Sequence, residues 1–165
     1  MAAVDVPDLT VELLDQLAAG PFVGISMYTG STMSDGRLAS AVLSEVSTEV
    51  WAWLVDHCWL VSCNDSCVSR SGPDSGWGAW LEIIGAHPEL RLIVAHLGLP
   101  IAAPPSKPGV APWTTAECQE RIADVLALAA YPGPRVKLSG FYALTTPGHD
   151  YPHVAAWGYV ESLLR

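Results

Sequence analysis

Apolar residues recur at spacings of three and four over residues 9–19, where Leu9, Leu13, Leu14 and Leu17 share one face of a predicted helix. Gly20 and Pro21 stop it. Residues 22–28, FVGISMY, read as a buried strand, followed by a polar, glycine-containing loop over 29–36. A second helix is expected over 47–57, with Ser47 and Glu49 in its first turn. WLVSCN (59–64) is the next strand, and the Ser-, Gly-, Pro- and Asp-rich stretch 65–75 is a loop. A third helix over 76–87 carries the apolar stripe Trp77, Trp80, Leu81 and Ile84, whose expected role is core packing. LRLIVAHL (90–97) is nearly continuous in apolar residues, the pattern of a parallel strand covered on both faces. Pro100, Pro104, Pro105, Pro108 and Pro112 then impose an extended loop. Thr114 and Thr115 cap a helix that carries Ile122, Val125, Leu126 and Leu128 to Tyr131 and Pro132. VKLSGFYAL (136–144) is the fourth strand, and a last helix runs to Arg165.

Helices that alternate with strands across connections this long imply a parallel sheet with right-handed crossovers. An open doubly wound sheet and part of a (β/α)8 barrel both satisfy that pattern. Neither GxGxxG nor GxxxxGK[ST] follows any strand, which removes support for the nucleotide-binding members of the open class. The barrel gains modestly by default within an α/β class, so a partial (β/α)8 TIM barrel of about four parallel strands with flanking helices, a single domain over 1–165, is expected ahead of the open sheet, which stays open as the alternative.

Composition narrows the functional classes. Half of the 165 residues are hydrophobic, enough for a real core, while 17 carboxylates against 8 Lys plus Arg give a net charge of -9. That charge repels phosphate backbones and anionic lipid, so no nucleic acid and no membrane partner is expected. The start, MAAVDVPDLTVELLDQL, has acids where a signal peptide needs apolar residues, and the most apolar stretch is broken by Arg91, His96, Gly98 and Pro100. A soluble, cytoplasmic chain is expected. Cys58, Cys63, Cys67 and Cys118 form no CxxC pair, which suits reduced thiols, and alternation along a strand would scatter a zinc set of His57, Cys63 and Cys67 over both faces.

In either architecture, function gathers at the carboxyl ends of parallel strands. Those ends supply Ser26 and Tyr28, Asn64 and Asp65, His96, then Ser139 and Tyr142. His96 is the sharpest member, because an imidazole after Leu92, Ile93, Val94 and Ala95 must be ligated, hydrogen-bonded or catalytic if buried. Lys137 shares a strand face with Ser139 and points either into a barrel lumen or out at the exposed bottom of the strand. His149 and His153 flank Asp150 and Tyr151 above the same strand end, within reach of a substrate; capping of the next helix is the structural alternative.

HPELRLIVAHLGLP (87–100) followed by PRVKLSGFYALTTPGHDYPH (134–153) resembles the amidohydrolase-related family of metal-dependent TIM-barrel hydrolases, in its lactonase-like branch. The distinctive elements are a strand ending in His-Leu-Gly-x-Pro after a Pro-x-Leu-Arg entry, and the KLSG strand. The resemblance implies a hydrolase acting on a small-molecule lactone or amide, with His96 as the catalytic mid-barrel histidine. In metal-using members that residue is a ligand; in others it positions or polarises the substrate. Tyr28, Asn64, Ser139, Tyr142, His149 and His153 are the corresponding expected substrate-binding residues. Relatives also carry a His-x-His pair on the first barrel strand and a water-activating aspartate on the last, and neither is found here; Ser26 stands where many relatives have arginine.

Hydrolysis needs a polarised carbonyl and an activated water, which one histidine does not supply alone. Catalytic zinc has three protein ligands as a rule. A divalent metal, zinc, is therefore expected in the complete barrel and not as a tight ligand of this chain, with His96 a metal ligand only if the missing ones are supplied. The expected partners are a small-molecule substrate and either further copies of the chain or a complementing barrel segment. Two alternatives stand beside a truncated hydrolase: a noncatalytic remnant that binds a small molecule or a subunit, and a metal-dependent decarboxylase.

Overall fold

A computed structural model describes residues 1–29, 39–64, 76–100, 113–144 and 153–165. Their regular elements are β1 (Ala2–Ala3), α1 (Val11–Ala18), β2 (Gly24–Met27), α2 (Thr48–Asp56), β3 (Leu60–Cys63), α3 (Gly76–Ala86), β4 (Arg91–Val94), α4 (Thr115–Arg121), α5 (Ala123–Ala127), β5 (Arg135–Val136) and α6 (Trp157–Leu164). The strands form one five-stranded sheet in which every pair is parallel and spatial order follows chain order. Among the described residues, no helix is long and apolar enough to cross a membrane.

Local chemistry explains the helix starts. Thr10 accepts a hydrogen bond from the Leu13 amide, Ser47 from that of Glu49, and Thr114 forms a reciprocal capping box with Glu117. Because these side chains satisfy amides that a helix leaves unpaired, the starts fall within two residues of where composition put them. Polar ties also join helices: Trp53 Nε1 donates to Asp15 Oδ1 at 2.9 Å, linking α2 to α1, and Thr115 Oγ1 donates to Glu161 Oε2 at 3.2 Å, linking α4 to α6.

Register sorts the strand residues onto two faces. Ile25, Met27, Val61, Cys63, Leu92 and Val94 are completely buried and share one core with Leu14 of α1, Leu54 of α2, Trp77, Trp80 and Ile84 of α3, Val125 of α5 and Tyr159 of α6. Each such Leu or Val side chain contributes about 1.5–3 kcal/mol by leaving water. On the opposite face Ser26, Ser62, Ile93 and Arg135 align in one row, with Leu60 and Arg91 in the row before it. This second face is half-buried to exposed. The expectation that β4 is covered on both sides is therefore corrected: Arg91 is exposed and Ile93 half-buried.

The strands depart from expectation in two more ways. The sheet has five strands rather than four, since Ala2–Ala3 pairs with Ile25 and Ser26. Two alanines carry no periodicity; they become a strand because the β2 edge offers them partners. The strand predicted over 136–144 ends at Val136. Gly140 takes a left-handed φ of 74° and starts a 3-10 turn over Phe141–Ala143, while Leu144 goes into a small separate cluster with Leu97, Ala156 and Val160. The apolar run continues past the strand because it serves that second cluster. Similarly, the helix expected from Thr114 to Tyr131 is broken at Ile122, whose φ of -115° and ψ of 21° separate α4 from α5.

Candidate functional site

Beyond β4 the chain enters an unusual turn. His96, Leu97, Gly98 and Leu99 have φ of 53°, 59°, 81° and 46°, and the Leu99 amide donates to the His96 carbonyl at 2.9 Å. Left-handed backbone costs a residue with a Cβ roughly 1–2 kcal/mol, so His96, Leu97 and Leu99 need compensation from their surroundings. It is present. Leu97 is wholly buried, its amide donates to the Lys137 carbonyl at 3.2 Å, and Trp77 Nε1 donates to the Gly98 carbonyl at 3.0 Å. A Cβ on Gly98 would lie 2.6 Å from Val125 Cγ2, so this position requires glycine on space as well as on φ.

The turn aims His96 at the end of β5. Its Nδ1 lies 3.0 Å from Ser139 Oγ, and both residues are half-buried. Gly140 lets the two segments approach: a Cβ there would stand 2.6 Å from His96 Nδ1. The pair is thus set by a left-handed turn on one strand end and a close-approach glycine on the next. A hydroxyl can donate to or accept from an imidazole nitrogen, so the Ser139 contact serves either neutral tautomer of His96, and Nε2 has the role complementary to that of Nδ1.

The remaining predicted residues are less tightly gathered. Asn64 is half-buried and its amide donates to the Met27 carbonyl at 2.9 Å, which carries the β2–β3 ladder one residue past the strand. Tyr28 and Tyr142 are exposed, at 63% and 59%. His153 is half-buried with a left-handed φ of 59° and its ring 6.5 Å from that of Phe141. Phe141, His153, Ala156, Trp157 and Val160 line a cavity of about 30 Å³, the space of a water molecule. Ser26 lies half-buried in its row, and Lys137 is exposed. His149, Asp65 and Cys67 lie outside the described residues.

Sequence reasoning missed Thr29, assigned to the polar loop after β2. It is fully buried, with Oγ1 3.0 Å from Cys63 Sγ and within 3.5 Å of Trp80 Nε1, which donates to it. The α3 tryptophans are core residues, as their stripe predicted, and their indole N–H groups also fasten the ends of β2 and β4. The only signal in the sequence was a hydroxyl directly following an apolar strand, which is also the start of an ordinary loop.

Among the described residues no three His, Cys, Asp or Glu side chains converge, and Nδ1 of His96 is engaged by Ser139. His57 stacks on Trp53 at 3.8 Å with its Nδ1 at the Trp53 carbonyl, before β3, whereas Cys63 is buried at the strand's far end. Cys58, Cys63 and Cys118 carry no disulfide. Burial pushes the Cys118 thiol up, despite nearby Arg121, so it stays protonated against Gly158 in the core.

Comparison of the chain with family models, curated proteins and solved structures returns no match.

Proposed function

We propose that the chain is an arc of a (β/α)8-barrel hydrolase of the amidohydrolase-related type, acting on a small lactone or amide held at the carboxyl ends of its strands. The observation that carries the reading is the His96–Ser139 pair, joined at 3.0 Å across adjacent strand ends and supported by backbone that the fold alone makes tenable. His96, Leu97 and Leu99 place left-handed, strained backbone at the carboxyl rim, where catalytic geometry is ordinarily built. Sheet order adds support: a doubly wound sheet reverses at a switch point, whereas these five strands run consecutively, as in a barrel wall.

In this reading Ser139 holds the imidazole through Nδ1, and Nε2 faces the substrate carbonyl or the attacking water. A neutral imidazole can take the proton from water as it adds, then return it to the leaving alkoxide or amine. His96 is the catalytic residue and Ser139 its positioning residue. Tyr28, Asn64, Tyr142, His149 and His153 are assigned to the substrate. A zinc ion would take ligands from outside the described set. Among the described residues β1 and β5 are each paired on one side only, so the proposed partners include a second copy or a complementing barrel segment.

A noncatalytic small-molecule-binding module is the second reading, favoured by the Ser139 contact itself, which satisfies the His96 ring as a purely structural hydrogen bond would. Hydrolysis of a lactone panel by wild type, His96→Ala and Ser139→Ala, followed with a pH indicator, separates the two. Hydrolysis lost with His96→Ala and reduced about 10- to 100-fold with Ser139→Ala supports the hydrolase. Lactone binding that shifts the His96 imidazole resonances without turnover supports the module. Neither binding nor turnover would sink both.

A further inference from the structure

We propose that the amino-terminal end of the uncovered sheet face is a binding site for a small organic anion with a flat apolar body, such as an aromatic carboxylate. The starting observation is the placement of charge. The chain has 8 Lys plus Arg and a net charge of -9, yet Arg91, Arg135 and Lys137 line a single cleft of about 500 Å³ in which, among the described residues, Glu89 is the one carboxylate. Three cations against one carboxylate leave a local charge of +2 on an acidic protein. The cleft's volume is within the roughly 300–1,000 Å³ of small-molecule sites.

Register explains why the charges converge. Ile93 pairs with Arg135, Arg91 precedes Ile93 by two residues, and Lys137 follows Arg135 by two, so alternation puts all of them on the face away from the helices. Leu60, paired with Arg91, and Ile93 supply a half-buried apolar floor beneath the charged groups.

Both guanidinium groups are oriented by main-chain carbonyls. Arg91 Nη1 donates to the Cys58 carbonyl at 2.9 Å, and Arg135 Nη1 to those of Pro132 and Pro134 at 2.6 and 2.7 Å. These contacts neutralise no charge. Each guanidinium has five N–H donors, so an arginine anchored through Nη1 retains donors for a bidentate carboxylate contact. Lys137 adds a point charge on a flexible stem. Arg91, Pro132 and Gly133 put most of the cleft toward the amino ends of β4 and β5, while Lys137, whose amide donates to the Val94 carbonyl and whose carbonyl accepts from the Leu97 amide, stands beside the turn that carries His96.

Isothermal titration calorimetry of the full chain with benzoate, benzyl alcohol and inorganic phosphate tests the proposal. Benzoate is expected to bind one-to-one, about tenfold or more tightly than benzyl alcohol, and to weaken about tenfold with Arg135→Gln. Lys137→Gln, whose side chain is exposed, serves as the variant least able to disturb the fold and is expected to weaken benzoate about threefold. Equal affinity for benzyl alcohol, no benzoate binding at millimolar concentration, or affinity unchanged by both substitutions would overturn the proposal. Phosphate binding as tightly as benzoate would remove the apolar floor from it and overturn it as stated. Benzoate affinity that falls with His96→Ala would put the anion at the other rim and overturn it equally.

Discussion

The two ends of the parallel sheet are held by different means. At the amino end, main chain meets main chain: a Cβ on Gly24 would lie 2.2 Å from the Leu60 carbonyl oxygen, and one on Gly133 would lie 2.1 Å from that of Leu90. Charges there are fixed on carbonyls. At the carboxyl end side chains add to the backbone bonds of Asn64, Leu97 and Lys137: Trp77 on Gly98, Trp80 on Thr29, Thr29 on Cys63, and His96 on Ser139. Side-chain fastenings can be rearranged by rotation about χ angles, while a backbone contact yields only if the strand moves. The difference separates a rigid frame from an end where chemistry can be tuned.

The sharpest way to break that comparison is to add one carbon at each end. Gly133→Ala forces a methyl onto backbone that cannot turn aside, and the expected loss is about 3 kcal/mol or more of unfolding free energy in urea titrations. Gly140→Ala meets the His96 ring at Nδ1, which can swing away, and His96 Cβ at 2.7 Å, which moves only with its backbone, and it also has the left-handed φ of 74°. Its expected cost is smaller, about 1–3 kcal/mol, with the imidazole NMR signals of His96 moving as the Ser139 contact opens. If Gly140→Ala proves the more damaging of the two, the carboxyl end is the rigid one and the comparison is reversed.

The smallest expected effect lies outside both ends and calibrates them. The Thr114 backbone N–H and hydroxyl hold the Glu117 carboxyl below its ordinary value, with Arg121 helping. A carboxyl depressed in the folded state contributes stability that is present above its unfolded pKa and lost as pH falls through its folded pKa. Glu117→Gln should therefore flatten the acid limb of a circular-dichroism stability profile and leave neutral pH nearly unchanged. Glu117 is a surface group, so the change is expected to be slight beside either glycine substitution. An acid limb identical to wild type would show that the capping box does not respond to pH.

Much of the fold was legible along the chain because periodicity and capping are local. Leu14 and Leu54 lie on buried helix faces, Ser47 and Thr114 start their helices, and the apolar runs around Ile25, Val61 and Leu92 are parallel strands. His96 and Ser139 could be named individually as strand-end residues. That they meet could not, because their contact spans 43 positions and depends on Gly140 leaving the sheet.

The sequence by itself determined the alternation of helices and strands, the acidic surface and the polar identity of the strand ends, since each follows from residue type and near-neighbour spacing. Only the tertiary structure decided that Ala2–Ala3 joins the sheet, that Val136 ends β5, that Thr29 is buried, and that Arg91, Arg135 and Lys137 share a cleft. The reason is physical: pairing partners, left-handed turns and the register that puts distant charges on one face are properties of strands already assembled, and no local run of residues encodes them.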